Sequence, residues 1–408
     1  MTQNLNSPSQ LKVTLPRGTL NLTYQSNPDV DNSYDISDLL DFAQRINPKR
    51  AFLFVSKVLG RHIPVAPSVM RRAFSDLASL IPDDLPEPIL VLGMAETAVG
   101  LSAGVHQVLQ SRYPNALLLN STRHAFADPN AKLLATFSED HSHASRHLIY
   151  QSDDEQTQSA ILNTKTLIMV DDEASTGNTC RNVVNALTEA GLNQLELVHL
   201  ATLVDWSLDS AADLQDTKDI HFFRQHLLAG NWQWSDAPNP TPITMPRLDT
   251  TAAGSKPVLP TGNWGRQPTL DSTSGFGNYL ANFWDNFSRK FGDNAPLPNR
   301  ILMLGSNEFV WLPFLLAENL EQEAKLQSST HQVCFSALTR SPIAMGGAIS
   351  ATLSFRDNYG LGMTNFVYNV EPSAWELIVL CVETPTDSVD ELWRNLDNVL
   401  IVSPEPSF

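Results

Sequence analysis

The sequence predicts an α/β protein: a mostly parallel sheet flanked by helices, followed by a second domain of the same class. Three observations predict it. Short apolar runs of strand length alternate with amphipathic helical stripes. A break dense in Pro, Gly, Ser and Thr and without any period occupies 236–270. The alternation then resumes. The expected organisation is a first domain over 1–235, a linker over 236–270 and a second domain over 271–408. A chain of 408 residues is long enough for two such cores.

In order, AFLFVS (51–56) and PILVLG (88–93) have the length and composition of buried strands. The segment after Gly93 places Ala98, Leu101, Val105 and Val108 on one helical face and stops before Pro114. NALLLNSTR (115–123) and TLIMV (166–170) predict strands, TCRNVVNALTEAG a helix ended by Gly191, and LELVHLATLVDW (195–206) a further strand. Beyond the break, RILMLG (300–305) and ELIVLCVE (376–383) predict strands. Phe309, Leu312, Leu315, Leu316 and Leu320 form a helical stripe with Pro313 in its early turns, and SVDELWRNLDNVL predicts a helix.

Composition narrows the function. The net charge of −17 argues against a general nucleic-acid binder, so any anionic ligand must be held by local donors. Cys180, Cys334 and Cys381 are spaced too widely for a disulfide framework or a metal knuckle. The start MTQNLNSPSQ lacks a basic-then-apolar leader pattern, and no apolar run has membrane-span length. The expectation is a soluble cytoplasmic protein with neither nucleic acid nor membrane as partner.

The stretch TLIMVDDEASTGNT carries the chemistry. Four apolar residues lead into Asp171 and Asp172, and small or hydroxylated residues follow, Ser175, Thr176, Gly177, Asn178 and Thr179. In open α/β sheets ligands bind beyond the carboxyl ends of strands. Gly177 allows close backbone approach, and a helix start with hydroxyl donors suits a phosphate. Carboxylates repel a second phosphate but accept hydrogen bonds from vicinal hydroxyls. A ribose 5-phosphate satisfies both halves. The lysine of a Walker loop is missing.

LIMVDDEASTGNT resembles the PRPP-binding signature of the type I phosphoribosyltransferases. The resemblance implies that Asp171 and Asp172 hold the ribose 2- and 3-hydroxyls and that Ser175 through Thr179 hold the 5-phosphate. Some members have an acid where Ser175 stands, used as a base toward the incoming ring; orotate-type members, like this chain, lack it. Further stretches resemble a narrower group, the phosphoribosyltransferases of tellurium-resistance gene neighbourhoods, which carry a C-terminal TRSP domain. These are RINPKRAFLFVSKVLGRHIPV (45–65), GMAETAVGL (93–101), STRHAF (121–126), FSEDHSHASRH (137–147) and the literal TRSP of Thr339–Pro342. The resemblance implies a type I phosphoribosyltransferase-like sheet and transfer of phosphoribosyl from PRPP to a nitrogen base with Mg²⁺. It also implies a role in making a nucleoside-like metabolite, a homodimer, and partner enzymes of a biosynthetic cluster. The other reading it leaves is a PRPP-sensing regulator or a scaffold without turnover.

The leaving pyrophosphate needs its own donors. Met94, Ala95, Glu96 and Thr97, past a strand end and at a helix start, form the expected pyrophosphate loop. Glu96 either holds Mg²⁺ through water or caps the helix. Arg123 follows another strand end and is either a phosphate fork or a surface ion pair; Lys57, after AFLFVS, is a further phosphate donor or a solvated lysine. Residues 137–154 stand where related enzymes carry a closing hood. Here Glu139, His141, His143 and Arg146 are the candidate catalytic groups. The alternatives are a transition-metal site at the His-x-His and a plain polar loop.

The second half echoes the first. ILVLGMAE (89–96) faces ILMLGSNE (301–308) with five of eight positions identical, STR (121–123) faces LTR (338–340), ATFS (135–138) faces ATLS (351–354) and LIMVDDE (167–173) faces LIVLCVE (377–383). The matches are collinear, which points to a degenerate second copy of the fold. On this alignment Cys381 and Val382 replace the two acids and Asp387 replaces Gly177.

Overall fold

The structure, a computed structural model, describes residues 8–46, 50–126, 130–138, 146–208, 217, 219–248, 265–327 and 330–404. The chain opens with β1 (Ser9–Leu15), β2 (Gly18–Ser26), α1 (Ile36–Leu39), β3 (Leu40–Gln44), β4 (Phe52–Ser56) and α2 (Pro67–Ser79). Next come β5 (Ile89–Gly93), α3 (Val99–Leu109), β6 (Leu117–Asn120), β7 (Leu133–Phe137), β8 (His147–Tyr150) and α4 (Glu155–Leu162). They are followed by β9 (Thr166–Ala174), α5 (Asn178–Glu189), β10 (Leu197–Asp205) and β11 (His221–Asp236). The rest comprises α6 (Phe276–Phe291), β12 (Arg300–Gly305), α7 (Trp311–Gln327), β13 (Gln332–Ala337), β14 (Thr352–Arg356), β15 (Thr364–Tyr368), β16 (Leu377–Cys381), α8 (Glu391–Arg394) and β17 (Val399–Val402).

Two compact units result. The first holds residues 1–40, 72–242 and 265–272; the second holds 41–71, 243–264 and 273–408. These limits differ from the boundaries expected at 235, 236–270 and 271. Residues 41–71 pack in the second unit because Ala43 and Val55 share an apolar cluster with Ile343, Ile349, Phe366 and Tyr368. Ala344 N–H also donates to Gln44 O, and Arg71 pairs with Glu318 at 2.7 Å. AFLFVS is therefore a strand, but of a two-stranded sheet with β3, not of the large sheet. Part of the expected linker is anchored: Leu118 and Thr269 exchange both backbone hydrogen bonds. Residues 249–264 of it lie outside the described residues.

The first unit is built on a seven-stranded sheet ordered β1-β2-β11-β10-β9-β5-β6. From β11 to β6 all neighbours are parallel, while β1–β2 and β2–β11 are antiparallel. All five residues of β5 and the first five of β9 are buried, as a strand covered on both faces requires. β7 and β8 form a separate antiparallel pair. Gly93 ends β5 where no side chain fits, since a Cβ would overlap Asn120 Oδ1 and Ser102 Oγ.

The second unit has a parallel sheet ordered β13-β12-β16-β17 and an antiparallel pair β14–β15. Its core gathers Leu302, Leu304, Ile378, Leu380 and Trp393. Strand for strand it repeats the order β6-β5-β9-β10 with the β7–β8 pair. Small features repeat as well: Thr122 bridges Leu148 as Thr339 bridges Phe366, and Gly93 O accepts from Ser121 N–H as Gly305 O accepts from Leu338 N–H. The register revises the sequence alignment by one residue. Val170 lies opposite Gly93, and Cys381 lies opposite Gly305. Val382 and Glu383, not Cys381 and Val382, therefore occupy the positions of Asp171 and Asp172.

One predicted element is corrected. SVDELWRNLDNVL is not one helix: α8 spans only four residues, Asp390 capping its start, and Val399–Val402 pairs with β16 as a strand. The strand pairs β1–β2, β7–β8 and β14–β15 were not expected. Among the described residues no helix is long and apolar enough to cross a membrane, and the three cysteines are free and buried.

Candidate active site

Strand β9 outlasts its neighbour β5. Pairing with β5 ends at Val170, while pairing with β10 continues to Ala174 opposite Asp205. Asp171 and Asp172 are thus held in strand geometry past the buried part of the sheet, each half-buried. Asp172 N–H donates to Asp171 Oδ1 at 2.9 Å, and Thr97 Oγ1–H donates to Asp172 Oδ1 at 3.2 Å. Burial, and then the neighbouring charge of Glu173, push the Asp172 carboxyl above the usual carboxylate range. Glu173 is fixed by Trp206, whose Nε1–H donates to its Oε2 at 2.8 Å.

The chain then turns through exposed Ser175 and half-buried Thr176 into Gly177, the N-cap of α5. Gly177 has φ +81°, a region that a side chain disfavours. Exposed Asn178 and half-buried Thr179 start the helix. Thr176 Oγ1 accepts from Asn178 N–H at 3.3 Å. Beneath the turn, Arg224 Nη1 donates to Ser175 O at 3.3 Å and to both oxygens of buried Asp205 at 3.0 Å. This Arg–Asp tether escaped the sequence reading; Asp205 closing a run of eight apolar or neutral residues was the available signal.

At the end of β5, Met94 N–H donates to Val170 O at 3.1 Å and Ala95 N–H to Ser121 Oγ at 3.0 Å. Two of the amides expected to hold pyrophosphate are therefore engaged within the protein, which confines such a role to the half-buried Glu96 and Thr97. The link from Thr97 to Asp172 brings this loop against the acid pair. Arg123 reaches His147: its Nη2 lies 3.3 Å from Nε2 of that ring, and Nδ1 lies 3.0 Å from Ser121 Oγ. A guanidinium can only donate, so Nε2 accepts and Nδ1 carries the proton given to Ser121. His147 is fully buried and stacks on Phe137, with ring centres 4.7 Å apart. The sequence placed it only within the hood segment; the structure joins it to Arg123 and Ser121.

Glu139, His141 and His143 lie outside the described residues; Arg146 is exposed just before β8. Among the described residues no group of three or more His, Cys, Asp or Glu is placed to hold a metal. Lys57 is not brought to the acid pair by the first unit's fold. It belongs to the second unit, where it lines a cavity with Val65, Glu321 and His331.

A family model described as phosphoribosyl transferase matches residues 39–230, and one described as the TRSP domain C-terminal to it matches 281–399. The chain belongs to the phosphoribosyltransferases that carry a C-terminal TRSP domain. No curated protein matches it. Among solved structures, this phosphoribosyltransferase is similar to the adenine phosphoribosyltransferase of Trypanosoma brucei, at 13% identity over 54% of this chain and 87% of that one, TM-score 0.32. That of Rhodothermus marinus gives 12% identity over 47% and 95%, TM-score 0.30. The hypoxanthine phosphoribosyltransferase of Staphylococcus aureus gives 14% over 41% and 78%, TM-score 0.24. Its own first unit supplies the elements of the site described above.

Proposed function

We propose that the first unit transfers the 5-phosphoribosyl group of PRPP to a ring nitrogen of a base and releases pyrophosphate. The observation that carries this reading is the placement of Asp171 and Asp172 at the end of β9, directly before the Gly177-capped start of α5. Ionised carboxylates there accept the ribose 2- and 3-hydroxyls, and the turn 175–179 with the α5 N-terminus takes the 5-phosphate. The Arg224 tether on Ser175 O holds that turn in shape. The base nitrogen bonds to C1 as the C1–oxygen bond breaks, and the electron pair leaves with pyrophosphate. Arg123 and the Glu96–Thr97 turn lie on the side where that charge grows. Mg²⁺ fits as a metal shared with substrate oxygens, because among the described residues no group of three or more His, Cys, Asp or Glu is placed to hold a metal by itself. When bound, it supplies charge neutralisation of the pyrophosphate. We assign the product to a nucleoside-like metabolite associated with tellurium resistance, in a cytoplasmic homodimer, on the strength of the resemblance to the TRSP-bearing group.

Titration calorimetry with PRPP and magnesium tests the assignment. Asp171→Asn and Asp172→Asn should each weaken PRPP binding about tenfold or more, by loss of charge-assisted hydrogen bonds. PRPP affinity unchanged in both variants removes it.

A further inference from the structure

The second unit places its own constellation beyond its strand ends, and none of it is used by the reaction proposed for the first. Ser306, Asn307 and Glu308 follow β12, Thr339 follows β13, and Glu383 and Thr384 follow β16; all six are buried. Hydrogen bonds draw these segments together. Tyr359 O–H donates to Glu383 Oε1 at 2.6 Å and lies 3.4 Å from Ser306 O. Arg61 Nη1 donates to Asn307 O at 2.7 Å and Leu338 O at 3.1 Å. Asn358 Nδ2 donates to Thr384 Oγ1 at 2.8 Å, and Asn365 Nδ2 to Asn358 Oδ1 at 3.4 Å.

Within this cup several groups find no hydrogen-bond partner among the described residues. Asn307 is 0% exposed, yet neither its Nδ2 nor its Oδ1 has a partner. Asn365 Oδ1 and Ser306 Oγ, equally buried, have none either. Buried polar atoms are almost always satisfied, so orphans on Ser306 and Asn307 beyond the carboxyl end of β12, with that on Asn365 in β15, mark a place where something else supplies the bonds.

We propose that this cup is a second small-molecule site, taking an unphosphorylated ligand of the nucleoside class. The register gives the first reason: Glu383 stands where Asp172 stands in the first unit, so one acceptor for sugar hydroxyls persists. The amide of Asn307 offers a donor and an acceptor, the complement of a nucleobase edge, and Asn365 Oδ1 offers a further acceptor. The position of the phosphate turn excludes the 5-phosphate. By the same register the turn falls at 386–390, Thr-Asp-Ser-Val-Asp, where Asp387 and the Asp390 carboxylate that caps α8 repel an anion. The loop 357–363 joins these segments through Asn358 and Tyr359. Asp357 gathers the N–H groups of Tyr359, Leu361 and Met363, while Leu361 and Met363 stay exposed.

The test uses the full chain and four probes: adenosine, guanosine, cytidine and uridine, each titrated calorimetrically without PRPP. At least one binds, and Glu383→Gln and Asn307→Ala each weaken it about tenfold or more. Asp171→Asn leaves that binding unchanged, which separates this site from the PRPP site and keeps the two proposals independently testable. Hydrogen exchange on the unaltered protein covers the case of variants that do not fold: the bound nucleoside slows amides in 306–308 and 357–365. Failure of all four probes to bind overturns the proposal, leaving a water-filled structural network. So does binding abolished by Asp171→Asn, or amide protection confined to 171–179.

Discussion

At the scale of single residues, His147 ties together two parts of the proposed site. Its two ring nitrogens link Arg123 to Ser121, and Ser121 in turn accepts the Ala95 amide. A guanidinium and the turn after β5 are thus set by one buried imidazole. His147→Phe keeps the stack on Phe137 and removes both hydrogen bonds. The kcat/KM for PRPP should fall about tenfold, the order of one or two lost bonds to a charged group. His147→Gln, which can restore one bond, should recover part of it. A change in melting temperature with KM untouched would assign the residue to packing alone. Asp171 and Asp172 were legible in the sequence because paired charge directly after a buried run has few structural uses. His147 was not, because it stands among several histidines and only the tertiary pairing of β6 and β8 segments singles it out.

At the scale of elements, the β9–turn–α5 unit carries most of the proposed chemistry. Its hinge is Gly177 at φ +81°. Gly177→Ala should destabilise the first unit by about 1–2 kcal/mol, the cost of a side chain in the left-handed region. It should also weaken PRPP binding, since relief of that strain moves the amides at the α5 start; a melting shift with full PRPP affinity would show that the turn adapts. The parallel strands β5, β6, β9, β10, β12 and β16 were legible from apolar runs alone, because strands buried on both faces have no polar side to disguise them. The half-exposed pairs were harder. β14 is partly buried at four of its five positions, and its pattern resembles a loop until Val367 and Phe366 are seen opposite it. Val399 and Leu400 were absorbed into a helix because Trp393 and Leu396 continue a helical spacing, whereas pairing with β16 decides their state.

At the scale of the whole molecule, the collinear echo between the halves was legible, and the repeated strand order supports it. Assignment of 41–71 to the second unit was not, because it rests on contacts about three hundred residues away in sequence, such as that of Phe42 O with Ala348 N–H. The packing of both units also commits histidines to the interior. His62, His106, His199 and His226 are all pushed below their ordinary pKa, chiefly by burial, and His62 falls to about 3, helped by the adjacent Arg61 charge. The unfolded chain binds a proton at each near pH ~6.5 while the folded one does not, so stability is lost as pH falls from there. For His62 the loss continues down to about pH 3, where the folded protein binds the proton too. At about 1.36 kcal/mol per tenfold change in proton affinity, His62 alone removes roughly 3 kcal/mol between pH ~6.5 and ~4. Depressed carboxylates such as Asp35 and Asp390 add to the loss toward the lower end of that window and below it. Urea midpoints should therefore drop steeply on mild acidification, and His62→Phe, which preserves ring contact with Tyr368, should flatten the drop for the second unit. Equal slopes in the two proteins would mean that the His62 ring takes up its proton without leaving its place.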